Sequence, residues 1–215
     1  MKDYDAYLFD ADGTIIDTRD MIIAAYTAMG ETLGVAVDRD LIKNTIGLPV
    51  MRQLRELLGH GHGEDYYEKA REAYNDSLME SYDARLKAFP GVAEGLRELK
   101  ALGKKMAVVT SRRRGSLEKF LDALAIGDYF ELCVTPESTE RHKPDPEPAL
   151  FAAGKLGVAP ERCVFIGDAT FDIECGNAAG MDTVLVSWGG MDPSGWPVKP
   201  DLVVDEFSRL LPDKL

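Results

Sequence analysis

The sequence predicts an α/β protein: a parallel sheet with helices on both faces, interrupted near its start by a small helical insertion. Three observations carry that reading. The apolar run Tyr7-Leu8-Phe9 ends abruptly at Asp10 and Asp12, as a buried parallel strand does when it delivers polar groups to its carboxyl end. Residues 18–88 offer no second strand and show helical periodicity instead. After Pro90-Gly91, helices alternate with short apolar strands.

Each element follows from local pattern. Met21, Ile22, Ala25, Tyr26, Met29 and Leu33 recur at helical spacing just after the first strand. Breaks at Gly34, at Gly47-Leu48-Pro49 and at Gly59-His60-Gly61-His62-Gly63 divide the insertion into several helices, enough for a small bundle. Beyond it, a helix over 92–102 leads to a strand over 105–110, and a helix over 116–125 leads to a strand over 130–134. The pattern repeats as 147–156 to 162–166 and 170–179 to 183–186. Right-handed crossovers of this kind build one parallel sheet, which the first strand joins despite the insertion. Trp188 and Trp196 then bracket a Gly-rich loop, where packing is the default role of the two indoles.

The chain has 215 residues, 45% of them apolar, enough for a core in one domain or in a domain with an insertion. Its formal net charge of -12 opposes the field that a nucleic acid or an anionic membrane requires, so neither is an expected partner. Cys133, Cys163 and Cys175 are odd in number, far apart and without C-x-x-C spacing, which indicates neither a disulfide framework nor a zinc site. The amino-terminal residues lack a signal-peptide pattern, and no apolar run approaches the roughly 18 residues of a membrane span. A soluble cytoplasmic protein, monomer or homodimer, is the expectation.

Four polar clusters stand just beyond predicted strands. They are Asp10 with Asp12, Thr110 with Ser111, Lys143 in His142-Lys143-Pro144-Asp145-Pro146, and Asp168 with Asp172 in Gly167-Asp168-Ala169-Thr170-Phe171-Asp172. Their shared placement is a stronger signal than any one of them. Carboxylates gathered with little to neutralise them repel one another, so a hard divalent cation such as Mg2+ is the natural guest, with Asp10 and Asp168 as direct ligands. A carboxylate also attacks phosphorus to give an aspartyl-phosphate when cationic donors neutralise the phosphoryl oxygens, a task that suits Lys143 and the Thr110 hydroxyl. Asp12, two residues on, is near enough to protonate a leaving oxygen and later to activate water.

Taken singly, each group has a plainer role. Asp12-Gly13 marks a turn, Asp168 caps the helix after it, Thr110 and Ser111 cap theirs, and Lys143 is a solvated surface lysine. An EF-hand loop at Asp10 fails because Thr14 takes the third ligand position and Met21 stands where the bidentate Glu belongs. At Arg112-Arg113-Arg114, a solvated and partly ion-paired helix start competes with an anion-attracting patch; Arg112 is a candidate substrate-binding residue because guanidinium favours bidentate oxyanion contacts. His60 and His62 lie among three glycines without a third ligand nearby, which favours a turn over a metal site. The Gly-rich run after Trp188 lacks the ending of a P-loop, so ATP binding is not indicated.

The four-part set, in this order, resembles the haloacid dehalogenase superfamily of phosphotransferases. The matching parts are a D-x-D-x-T loop at residues 10–14, Thr110 after the second core strand, the downstream Lys143, and a G-D-x-x-x-D loop at residues 167–172. The resemblance runs over essentially the whole chain. It implies a Rossmann-like core, residues 1–17 and 89–215, with a small helical-bundle cap inserted at 18–88. It further implies Asp10 as nucleophile and Asp12 as acid and base. Mg2+ would be held by the Asp10 carboxylate, the Asp12 backbone carbonyl and Asp168, with Asp172 binding directly or through water. Thr110, Lys143 and backbone N–H groups near Asp12 and Ser111 would bind the phosphoryl group. Asp at position 12 is similar to the phosphatase and mutase branches and differs from the ATPase branch.

Within the superfamily the chain is most similar to phosphoglycolate phosphatases and to related pyrophosphatases. The Lys143-Pro144-Asp145-Pro146-Glu147-Pro148 segment and the Gly47-Leu48-Pro49 break occur in both groups. A small phosphorylated metabolite is the expected partner, 2-phosphoglycolate first. Pyrophosphate, a sugar phosphate handled by a mutase, and a catalytically silent binding role are the rivals. Because the cap of such enzymes reads the leaving group, residues 47–52, with Gly47 as a candidate substrate-binding residue, and the helix near 18–26 are the expected specificity surfaces.

Overall fold

Tyr7, Leu8 and Phe9 are wholly buried because β1 (Ala6–Phe9) runs between two hydrogen-bonded neighbours and is covered on both faces. The computed structural model describes residues 1–80 and 86–212. In it the chain divides into two compact units, Met1–Asp17 with Ala88–Leu215, and Thr18–Lys87.

The first unit holds a parallel sheet of six strands: β1, β2 (Lys105–Val109), β3 (Leu132–Val134), β4 (Cys163–Gly167), β5 (Asp182–Val186) and β6 (Leu202–Val204). Their order is β3-β2-β1-β4-β5-β6, so the chain leaves β1 toward one side and later returns to its other side. The crevice beyond the strand ends at such a reversal is the usual ligand position in an open α/β sheet. The register pairs Phe9 with Val108 on one side and with Ile166 on the other. Asp10, Thr110 and Asp168 therefore follow within one or two residues on the same edge.

Side chains alternate along β1. Ala6 and Leu8 join Ala149, Ala152, Ala153 and Leu156 of one helix, Glu147–Leu156, and Cys175 of another, Thr170–Ala178. Tyr7 and Phe9 take the opposite face, where Phe9 stacks on Phe207 with ring centroids 5.8 Å apart. The helix Val92–Ala101 meets that aromatic layer through Gly95: a Cβ there would stand 2.1 Å from the Phe207 ring. Arg114–Ala123 is the remaining helix of this unit.

The second unit contains the helices Arg19–Leu33, Arg39–Thr45, Val50–Leu58 and Glu64–Glu80. In chain order the eight helices described are α1 to α4 here and α5 (Val92–Ala101), α6 (Arg114–Ala123), α7 (Glu147–Leu156) and α8 (Thr170–Ala178) in the first unit. Asp38 caps α2 by accepting from the N–H groups of Asp40 and Leu41. Tyr26 of α1 stacks on Tyr74 of α4 at 4.2 Å and donates its hydroxyl to Gln53 of α3, whose amide donates to Thr45 of α2 at 3.3 Å. A buried hydrogen-bonded chain thus ties α1, α3 and α2, and the ring stack joins α4 to them.

The structure departs from the sequence-based expectations in detail. The helix expected over 116–125 runs over Arg114–Ala123 and stops before Ala125, whose φ is +52°. The strand expected from 130 begins at Leu132, because Gly127–Tyr129 forms a 3₁₀ turn. The Gly-rich segment after β5 is two short 3₁₀ turns, Ser187–Gly189 and Pro193–Gly195, followed by the unexpected edge strand β6. No described helix is long and apolar enough to cross a membrane.

Candidate active site

Asp10 continues the pairing of β1 for one step, donating its N–H to Ile166 O at 2.8 Å, and then the chain turns sharply. The carbonyl of Ala11 accepts from the N–H groups of Thr14, Ile15 and Ile16, and Gly13 supplies the positive φ of +82° that the turn requires. The Trp188 indole donates to Thr14 O at 2.9 Å and fixes the far side of this loop.

Two further strands deliver their groups beside it. Thr110 extends β2, donating its N–H to Val134 O at 3.0 Å, and its hydroxyl accepts from the N–H of Arg112 at 3.1 Å. Asp168 follows β4, and Asp172 lies in the first turn of α8, where its Oδ2 accepts from the N–H of Ala169 at 3.0 Å. Lys143 reaches in from the segment before α7. Its Nζ donates to Asp10 Oδ1 and to Asp172 Oδ1, both at 2.6 Å.

Ligand atoms of Asp10, Asp168 and Asp172 lie within 4.8 Å of one another, and all three residues are buried. Glycines shape this cluster: a Cβ on Gly13 would stand 2.2 Å from Asp168 Oδ2, and one on Gly189 would stand 2.4 Å from Asp168 Cβ. A Cβ on Gly167 would likewise stand 2.3 Å from Asp172 Cβ, so this position has no room for a side chain.

The electrostatics follow from that burial. Desolvation, opposed by Lys143 and reinforced by Asp172 and Asp12, pushes the Asp10 carboxyl up to about 7. Desolvation, with Asp172 and Asp10 close by, raises Asp168 well above the ordinary carboxylate range. Burial works against the Lys143 ammonium, yet Asp10 and Asp172 outweigh it and hold its pKa above the usual lysine value. With all three carboxylates ionised against one ammonium, two negative charges would stand uncompensated in a desolvated site, which is what raises Asp10 and Asp168 and what a divalent cation would balance. Oxygen-only donors of this kind fit Mg2+.

The structure thus gathers Asp10, Asp168, Asp172 and Lys143 into one bonded cluster and sets Thr110 at the neighbouring strand end. Ser111 follows it, half-buried. Asp12 is engaged by Arg112 through three hydrogen bonds of 2.6 to 3.2 Å, so the candidate substrate-binding guanidinium is turned onto a carboxylate of its own chain. Arg113 and Arg114 instead form exposed pairs with Glu137 and Glu118. Gly47 belongs to the helical unit, in the turn after α2, with φ +101°. Sequence reasoning missed Gly189 and the Trp188 bond to Thr14, because a Trp-Gly-Gly run reads only as a loop until its fold partner is known.

Comparison with known proteins agrees with this geometry. The family described as haloacid dehalogenase-like hydrolase matches residues 7–186. A phosphoglycolate phosphatase of Nitrosococcus oceani is 32% identical over 98% of this chain and 96% of its own length. The pyrophosphatase PpaX of Bacillus velezensis is 30% identical over 96% of this chain and 94% of its own. Among solved structures, a β-phosphoglucomutase of Clostridium difficile superimposes with a TM-score of 0.85 and 26% identity, covering 97% of this chain and 93% of the other. On the family match and these similarities, the chain belongs to the haloacid dehalogenase-like hydrolase family, as a phosphatase of that family.

Proposed function

We propose that the protein is a Mg2+-dependent phosphatase that hydrolyses small phosphate monoesters through an aspartyl-phosphate on Asp10. The observation that carries this reading is the placement of Asp10: a buried carboxylate at the end of the central strand, one oxygen held by Lys143, within the acidic cluster. The Asp10 and Asp168 carboxylates and the Asp12 carbonyl, with Asp172 direct or through water, would hold Mg2+. When bound, the cation supplies charge neutralisation for the phosphoryl oxygens.

In the first step an Asp10 oxygen bonds to phosphorus while the bond from phosphorus to the leaving oxygen breaks, and Asp12 gives that oxygen its proton. Lys143 keeps Asp10 aimed and sets positive charge beside the transferred group, which the Thr110 hydroxyl helps to bind. In the second step Asp12 takes a proton from water as the water attacks phosphorus. Inorganic phosphate leaves and the Asp10 carboxylate is restored.

Substrate choice rests on the relatives, of which several are phosphoglycolate phosphatases, so 2-phosphoglycolate stands first. Pyrophosphate is the second reading, favoured by the similarity to PpaX. We assign selection among them to the helical insertion as a cap, with Gly47 at its reading surface. The free thiols Cys133, Cys163 and Cys175 suit the cytoplasm.

The test is phosphate release from 2-phosphoglycolate, pyrophosphate, hexose phosphates and nucleotides, with and without Mg2+, for the native protein and for Asp10→Asn. Asp10→Asn is expected to lose at least about 1,000-fold in kcat while retaining its fold. Full activity in that variant removes the mechanism. Pyrophosphate turnover far above every ester replaces the first substrate, and sugar isomerisation without phosphate release makes the protein a mutase.

A further inference from the structure

We propose that Arg112 is a positioning residue that aims the Asp12 carboxylate, a role that rests on the aspartyl-phosphate reading above. The two side chains are 5% and 14% exposed, a degree of burial that surface ion pairs lack. Arg112 Nε donates to Asp12 Oδ2 at 2.9 Å and to Oδ1 at 3.2 Å, and Nη2 donates to Oδ1 at 2.6 Å, so both carboxylate oxygens are engaged. This fork fixes the carboxylate plane as well as its distance.

The guanidinium is itself held. Its carbon lies 4.2 Å over the Phe120 ring, and the Arg112 N–H donates to the Thr110 hydroxyl at 3.1 Å. One residue therefore links the end of β2 to the loop after β1, across 100 positions of sequence. Burying an Arg–carboxylate pair costs desolvation that only close geometry and further hydrogen bonds repay, so its presence beside the D-x-D loop calls for a role. Here the purpose is orientation: proton transfer to a leaving oxygen requires a carboxylate set within a narrow range of angles. Lysine keeps the charge but not the fork, so it does not substitute.

The experiment measures kcat/KM with Mg2+ for two aryl esters. Phenyl phosphate needs a proton on its leaving oxygen, and para-nitrophenyl phosphate does not. Arg112→Lys is expected to lose about 10- to 100-fold on phenyl phosphate and to change little on para-nitrophenyl phosphate. In an Asp12→Asn background the same substitution is expected to cost nothing further, because it acts through Asp12. Arg112→Gly should regain activity on phenyl phosphate when guanidinium chloride is added below denaturing concentration. Circular dichroism verifies that each variant is folded. Equal losses on both esters, a further loss in the Asp12→Asn background, or no rescue of a folded Arg112→Gly overturns the proposal. If Asp10→Asn stays active, the aspartyl-phosphate reading falls and this role falls with it; if Asp10→Asn is inactive, those outcomes remove the Arg112 role alone.

Discussion

Asp168 is confined between two glycines that the chemistry never touches. A methyl group on Gly189 would lie 2.4 Å from its Cβ and 2.5 Å from Oδ2, so the carboxylate must move if the glycine changes. Gly189→Ala is expected to weaken Mg2+ binding about 10- to 100-fold, the usual effect of disturbing what holds a ligand in place. Isothermal titration calorimetry measures it, and unchanged affinity would contradict the confinement. The contrast with Asp10, Asp12, Lys143 and Asp168 explains what a sequence can disclose. All four are chemistry-bearing types, three of them just beyond strands and Lys143 in the segment between β3 and α7, and their spacing is visible along the chain. Gly189 works through Asp168, Trp188 through Thr14, and Arg112 through Asp12, each across a long stretch of sequence. Such pairs exist only after packing.

At the scale of elements, α5 approaches the sheet through a single missing side chain. Gly95 leaves room for Phe207, whose ring would meet an added Cβ at 2.1 Å and whose stack with Phe9 covers β1. Gly95→Ala should gain a little helix propensity yet destabilise the protein by about 1 to 3 kcal/mol, because overpacking outweighs it. Urea unfolding reads the difference, and a more stable variant would show that the contact yields. Strands β1, β2, β4 and β5 were legible because parallel strands buried between neighbours read as unbroken apolar runs. Strand β6 was not: it is three residues long, and Leu202 and Val203 are exposed at the sheet edge. Edge strand β3, equally short, was anticipated only as the end of a longer run over 130–134 that follows a helix, a context that β6 lacks.

For the whole molecule, the crowding of buried carboxyls in the acidic cluster is a load on the folded state that a divalent cation would relieve. On the proposed reading Mg2+ binds only the folded site, and at 100 times its Kd such a ligand would add about 2.7 kcal/mol of stability. For a chain of this size the melting temperature should rise by about 5 to 10 °C on adding Mg2+ to chelated protein, and Asp168→Asn should abolish the rise. Differential scanning calorimetry gives the answer, and a melting temperature indifferent to Mg2+ would remove the cation from the site. The net charge of -12 and the two-part organisation were readable from composition and periodicity.

The central position of β1 carries one more implication, for the order in which a ribosome releases the chain. Ala6 pairs with Lys105 on one side and with Cys163 on the other, so the strand bearing Asp10 is enclosed only after more than 150 residues have followed it. Asp168 and Asp172 arrive with that last enclosing strand. A nascent fragment that stops earlier carries the D-x-D loop with an open sheet edge and without Asp168 and Asp172, so the cluster proposed to hold Mg2+ is not yet formed. Assembly of the acidic cluster thus waits for β4, the loop that follows it and the first turn of α8.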